Sequence, residues 1–230
     1  MANRRSIELL SVGSDRSPSR AREDYVTAIF QLGAEGPVRA AALARYLKVS
    51  RVSVSKAKRL LEAEGLLEPE AIRLQPLRLS RRGQSLAVAM VRRHRLLETF
   101  LHRSLRVPLE RVHAEAERIE HVISDDVASR LAALLGRPES DPHGHPIPYG
   151  DTLSRHRLPT LASLAAGSRA RVVSIDDRDE EAVAALAAAG VLPGTRWRVE
   201  SSERGRVFVR SGKRCLALPR RHAERVRIGT

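Results

Sequence analysis

The chain has 230 residues, 42% of them hydrophobic, which is enough for one large domain or two to three small ones with packed cores. Its 41 lysines and arginines against 27 acids give a formal charge of +14, more than solubility needs, and point to a polyanionic partner. No apolar run approaches the roughly 18 residues that would span a bilayer, and the N-terminal stretch lacks the apolar core of a signal peptide, so a cytoplasmic protein is expected. The single cysteine, Cys215, excludes an intrachain disulfide and a multi-cysteine zinc site, and is expected to be a small buried hydrophobe.

Residues 1–19 are polar and rich in serine and arginine, and read as a loose arm. From Ala21, Tyr25, Ile29 and Leu32 recur at helical spacing, and Gly36 and Pro37 stop the helix. A short helix follows at RAAALARYLKV. Ser50 then stands where an N-cap belongs, and RVSVSKAKRLLEAEG reads as a third helix with Val54, Ala57, Leu60 and Leu61 as its buried stripe. LLEPEAIRLQPLRLS fits a two-stranded hairpin. A long helix is expected from about Arg81 to a stop before Pro108, followed by a helix carrying VHAEAERIEHVIS and by DDVASRLAALLG. The stretch 137–159 is crowded with proline, glycine and histidine and reads as a connection. Beyond it ARVVSI, TRWRVESS, GRVFVR and RVRI alternate as strands of a small β-barrel, with an alanine-rich helix inserted at 179–189. The expected class is therefore α+β, mainly helical, without internal repeats.

The second and third helices have the layout of a helix-turn-helix. Ser50, Arg51, Ser53 and Lys56 would face the major groove, where hydroxyls meet donor or acceptor edges and cations prefer guanine O6 and N7. Arg39, Arg73 and Arg78 are placed for phosphates.

The segment from Val112 to Ser124 carries different chemistry. If it is one helix, His113, Glu117, Glu120 and His121 fall within roughly 100° of arc, beside a separate apolar stripe of Val112, Ala116, Ile119 and Ile123. His94 and Glu98 form an i, i+4 pair on the preceding helix. Two such helices facing each other can build one or two metal sites. Imidazole and carboxylate without thiolate suit manganese, ferrous iron or zinc.

EDYVTAIFQL, RLLEAEGLL, RRHRLLETFL, VHAEAERIEHVIS and DPHGHPIP, in this order and spacing, resemble the diphtheria-toxin-repressor family of metal-dependent transcriptional regulators over about residues 20–230. The resemblance implies a winged helix-turn-helix at 20–84 and a helical metal-binding and dimerisation domain at 85–148. A linker at 149–160 and an SH3-like domain of the ferrous-iron-transport A type at 161–230 would follow. It also implies a homodimer that binds double-stranded palindromic operator DNA and represses metal-uptake genes, with no membrane partner. Carried over by position, the primary metal site falls on Asp24, Glu117, Glu120 and His121, with His94 available to it. The ancillary site falls on His94, Glu98 and His113, with Asp179 or Glu180 as a ligand from the C-terminal domain. Acids at positions 24 and 117 resemble the manganese-type members, so Mn(II) is the expected cofactor, Fe(II) the alternative, and Zn(II), Co(II), Ni(II) or Cd(II) substitutes in vitro. Thr27 stands where the manganese pattern has a glutamate. His143 and His145 are taken as part of a structural connection.

Two other readings compete. Facing helices with Glu and His also resemble in kind a di-metal carboxylate enzyme, although no HEXXH, P-loop or Gly-x-Ser-x-Gly is present. A metal-independent winged-helix protein with an incidental histidine helix is the third.

Overall fold

The computed structural model describes residues 20–69, 75–150 and 158–229, so the expected N-terminal arm, most of the linker and Arg73 lie outside the described residues. The first three helices are α1 (Arg20–Gly33), α2 (Ala40–Tyr46) and α3 (Arg51–Ala63). Ser50 caps α3, its Oγ accepting from the Ser53 amide at 3.0 Å. Val26, Ile29, Phe30, Leu43, Val54 and Leu61 close a core beneath these helices. Antiparallel bridges Leu67 to Leu79 and Val38 to Leu77 form the base of the wing. Leu60, expected in the buried stripe, is 52% exposed. It lies six residues after Val54, which turns it about 120° away from the face that Val54 and Leu61 share.

The long helix α4 (Arg81–Arg103) serves three hydrophobic clusters. Ala87, Val88 and Val91 complete the winged-helix core, while Leu96 packs with Ala128 and Ala132, and Leu97 and Leu101 pack with Val112 and Ala116. Its start is fixed by contact: Ser80 Oγ donates to Gly65 O at 2.6 Å, and a Cβ at Gly83 would stand 2.1 Å from the Leu66 carbonyl oxygen. Helices α5 (Leu109–Ile119) and α6 (Asp125–Leu134) follow. The segment expected to run as one helix to Ser124 therefore stops at Ile119, because Ser124 caps a new helix and residues 120–123 turn between the two.

The C-terminal unit is a five-stranded antiparallel sheet in the order β4-β3-β2-β1-β5, built from β1 (Arg169–Ile175), β2 (Arg196–Glu203), β3 (Arg206–Ser211), β4 (Arg214–Pro219) and β5 (Val226–Gly229). Trp197, Val199, Val207 and Val209 face a core that α7 (Glu180–Ala188) closes with Val183 and Leu186. β4 was not legible as a strand, since RCLALP keeps only Leu218 buried and shows no clean alternation. Cys215 lies on it and is exposed, contrary to the expected burial, because it pairs opposite Arg210 on the outer face. A four-residue helix α8 (Arg220–Ala223) joins β4 to β5.

The connection 137–150 is pinned on both sides. Arg92 Nε donates to Pro148 O at 2.7 Å and Arg95 donates to Pro146 O, tying it to α4. The Ile175 amide donates to His143 O at 2.9 Å, tying it to β1. Gly144, at φ +89°, passes so close to β1 that a Cβ would meet Val173 O at 2.1 Å. Contacts also reach the winged helix: Arg227 pairs with Glu35 at 2.6 Å, and the Arg178 guanidinium stacks 4.5 Å from the centre of the Tyr46 ring. Among the described residues no helix is long and apolar enough to cross a membrane.

Gly83→Ala forces backbone to move at the junction of wing and α4. It should destabilise the chain by about 1–3 kcal/mol in urea unfolding, and an unchanged midpoint would contradict the close approach.

Candidate metal centre

His121 stands in the α5–α6 turn and grips α1 with both ring nitrogens. Nδ1 lies 2.6 Å from Glu23 Oε2 and Nε2 lies 3.0 Å from Asp24 Oδ1. The turn that ends α5 is what aims this ring at α1. Glu120, the C-cap of α5, divides its oxygens: Oε1 is 3.4 Å from His121 Nε2 and Oε2 is 2.5 Å from His94 Nδ1. His94 passes the contact on, its Nε2 lying 3.0 Å from both Glu98 Oε1 and His113 Nδ1.

A second group continues from there. Asp177, between β1 and α7, places Oδ2 3.7 Å from His113 Nδ1 and 3.3 Å from His145 Nδ1. His145 Nδ1 in turn is 3.4 Å from Asp141 Oδ2. Asp141 Oδ1 accepts from the amides of His143 and His145, both at 2.9 Å, which folds the connection around its own carboxylate. His143 is fully buried with Nδ1 3.6 Å from Glu98 Oε1, while its Nε2 donates to Leu109 O at 3.1 Å. Donor atoms of His94, Glu98, His113 and Asp177 lie within 4.8 Å of one another, as do those of Asp24, Glu120 and His121, of Glu98, Asp141 and His143, and of Asp141, His145 and Asp177.

Several expected residues take other places. Asp179 caps α7, accepting from the Ala182 amide at 3.0 Å, and pairs with Arg225 at 2.8 Å; Glu180 is exposed in the first turn of α7. The C-terminal acid that reaches the cluster is Asp177, two residues earlier. Glu117 is largely exposed and contacts His113 Nε2 at 3.4 Å rather than His121. The end of α5 at Ile119 explains this, because His121 no longer shares a helical face with Glu117. The histidines of the connection are not mere spacers, since both rings face the cluster. No carboxylate stands at Thr27, and Glu23, on the preceding turn, supplies the acid that His121 meets. Glu23 was readable only as the neighbour of Asp24, and Asp141 only as an acid in a loop.

Charge inside this cluster is tightly balanced. Burial pushes His113 down, but hydrogen bonds to Glu117 and Glu98 and the charge of Asp177 outweigh it and raise the ring to about 10. His145 also reaches about 10, burial being overcome by the charges of Asp141 and Asp177. Glu98 is held well below its usual range, burial being outweighed by His94 and His113. Burial raises Asp24 despite His121 and Arg20 beside it. Within the cluster, Glu98 Oε2, Asp141 Oδ2 and His143 Nδ1 are buried without a hydrogen bond, although Asp141 Oδ2 faces His145 Nδ1 at 3.4 Å and Arg95 Nε at 3.6 Å. Unpartnered buried carboxylate oxygen is costly, and all three are atoms that ligate a hard or borderline cation. The donor set fits a divalent ion.

Of the residues expected to face DNA, Arg39, Arg51, Lys56 and Arg78 are exposed and have no ion pair among the described residues. Ser53 is half-buried and its Oγ lies 2.9 Å from Ser50 Oγ, so both serines are engaged in capping.

A winged helix, a helical bundle holding a carboxylate–imidazole cluster and a small barrel together define a metal-dependent regulator of transcription. Residues 80–149 match the model of the iron dependent repressor metal binding and dimerisation domain, and residues 160–229 match the FeoA domain. The iron-dependent repressor IdeR of Mycobacterium tuberculosis is 36% identical over 222 residues, covering 90% of this chain and 95% of that protein. The diphtheria toxin repressor of Corynebacterium diphtheriae is 38% identical over 133 residues, 57% of this chain and 58% of that one. A solved manganese-dependent transcriptional repressor in complex with manganese superposes with a TM-score of 0.81 at 31% identity, over 90% of this chain and 98% of that one. The chain belongs to the diphtheria-toxin-repressor family of iron- and manganese-dependent repressors. Those relatives are named for repression, a non-enzymatic function, which sets aside the di-metal enzyme.

Two raised histidines and one lowered glutamate fix a pH profile for the metal-free chain. His113 and His145 rise from 6.5 to about 10, so their contribution is whole below 6.5 and is lost as pH climbs through 10. Glu98 is lowered from 4.5, so its contribution is present above that value and lost as pH falls. Thermal melting in EDTA should therefore peak between about pH 5 and 6.5 and decline steadily towards pH 9. A profile flat from pH 6.5 to 9 would contradict the charged pairs described.

Proposed function

We propose that this protein is a divalent-metal-dependent repressor of the manganese-responsive type, which binds a palindromic operator as a dimer and controls metal-uptake genes. The observation that carries this reading is the contact of His121 with Asp24 and Glu120, which joins the DNA-reading domain to the helical domain through groups that ligate metals. Asp24, Glu120 and His121 would hold one ion, with Glu117 near enough that its charge raises Asp24. His94, Glu98, His113 and Asp177 would hold a second, with Asp141 and His143 behind them. A bound divalent cation supplies the positive charge that lets these carboxylates converge while their histidines are neutral.

Carboxylate and imidazole without thioether or thiolate favour manganese over softer ions, and Cys215 lies on the barrel, away from the cluster. Ferrous iron remains the alternative within the family, since the relatives include repressors named for iron. Dimer formation is supported by an exposed apolar surface. Val127 and Leu134 share one face of α6, Ile119 ends α5 and Val122 lies in the turn between the two helices. In the proposed switch Asp24 and Glu23 hold α1 on the turn of Glu120 and His121, which sets the orientation of α3 and so the spacing of two recognition helices against major grooves about 34 Å apart. The ion stabilises that state only by the difference of its affinities for the two arrangements.

Fluorescence anisotropy of a labelled operator from a metal-uptake promoter tests the reading. Manganese should tighten binding at least tenfold and EDTA should reverse it. Asp24→Ala and His121→Ala should lose the metal response while remaining folded, and Lys56→Ala should weaken binding at saturating metal by about 1–3 kcal/mol. An unchanged metal response in both site variants would sink the assignment, and a larger response to ferrous iron would move the chain to the iron type.

A further inference from the structure

The outer face of the C-terminal sheet carries a ladder of like charges. Arg171 stands opposite Arg196, Arg169 opposite Arg198, and Arg198 opposite Arg210 on the next strand. These five arginines are exposed and line a groove of about 630 Å³. Like charges directly opposite each other on adjacent strands destabilise a sheet. Several arginines elsewhere in the same domain have an acid: Arg225 pairs with Asp176 and Asp179, Arg220 with Glu224, Arg221 with Glu181 and Arg178 with Asp176. On the ladder only Arg210 has an acid, Glu200 at 3.1 Å, and the side chains of Arg169, Arg171, Arg196 and Arg198 have no hydrogen bond or ion pair among the described residues. Arg206 and Arg214 donate only to the backbone oxygens of Ala217 and Ala188, but they stand apart from the ladder; four arginines side by side on one face with no acid among them present a site for something negative.

We infer that this face is a second DNA-binding surface, which holds the phosphate backbone of duplex DNA through its arginine ladder, separately from α3. Guanidinium forks match phosphate oxygens in pairs, and cross-strand spacing of about 4.8 Å with alternate residues about 6.7 Å apart offers several forks to one backbone. A lipid surface is less well served, because none of the large exposed apolar side chains among the described residues lies in this domain. The net charge of +14 suits a chain that meets a long polyanion at more than one place. The choice of duplex DNA among polyanions rests on the DNA-binding reading of α3, while the unneutralised ladder stands without it.

The test compares full-length, manganese-saturated protein with three variants on a long labelled duplex lacking an operator, with affinity measured across a salt series. The first variant is Arg169→Gln with Arg171→Gln, Arg196→Gln and Arg198→Gln. The second replaces the same four by lysine, and the third is Arg51→Ala with Lys56→Ala in α3. Each phosphate contact contributes about 0.9 to the slope of log affinity against log salt, so the glutamine variant should lower it by about 2–4 and weaken binding at least tenfold. The lysine variant should restore most of the loss, and the α3 variant should lose binding independently. Wild-type slope and affinity in the glutamine variant overturn the inference. Loss there with no effect of the α3 variant upholds the ladder and overturns the α3 reading instead. Loss of binding to phosphatidylserine vesicles with DNA binding intact replaces DNA by a membrane and overturns the proposal. Should the glutamine variant fail to fold, phenylglyoxal labelling of the wild-type protein decides: protection of Arg169 and Arg198 by duplex supports the inference, and equal labelling with and without DNA refutes it.

Discussion

A chain of acids and imidazoles in short contact runs from the first helix through the helical domain to the C-terminal unit. His121 binds Glu23 and Asp24 of α1, Glu120 joins His121 to His94, and His94 joins Glu98 and His113. Asp177 then carries the contact into the C-terminal domain. Such a network is expensive in a buried setting, since each carboxylate must find a cation or a donor. Protonated histidines meet that need only in part, and Glu98 Oε2 remains without a hydrogen-bond partner. On the proposed reading a divalent ion would supply the missing charge, and because the cluster draws on α1, the helical domain and the C-terminal unit, its occupancy would bear on how these are held together.

The backbone around the cluster is built for close approach. The turn after Ile119 aims His121 at α1, the passage of Gly144 against Val173 sets His143 and His145 beside Glu98 and Asp177, and Arg92 and Arg95 lash that connection to α4. α4 itself contributes to the winged-helix core and to both clusters of the helical domain, which packs the two units on one rod. Arg227 with Glu35 and Arg178 over Tyr46 add a direct contact between barrel and winged helix.

Helices with an apolar stripe and a cap were legible in the sequence, because Ser50 and the periodic residues of α1, α3 and α4 declare themselves locally. His94, Glu98, Glu120 and His121 were legible for the same reason, as metal-capable groups at helical spacing. What was not legible depends on where the chain turns. The stop at Ile119 separates His121 from Glu117, and no local signal distinguishes that stop from a continuous helix until Ser124 is recognised as a cap. Asp177 was missed in favour of Asp179 because an acid's role as a helix cap or a cluster member is decided by tertiary packing. The neighbours of the connection's histidines were likewise not legible, since only the fold brings 143 and 145 against 98 and 177. β4 and Cys215 show the limit for a strand whose inner face buries a single leucine.

The central claim is that metal-ligating groups fasten α1 to the α5–α6 turn. Hydrogen–deuterium exchange of the full chain in EDTA and in manganese, with bound metal quantified in the same samples, measures that fastening directly. The account predicts slower exchange of α1 amides and of residues 120–123 on metal binding, and loss of that protection in α1 for His121→Ala. Full metal occupancy with unchanged α1 exchange in the wild-type protein would contradict it.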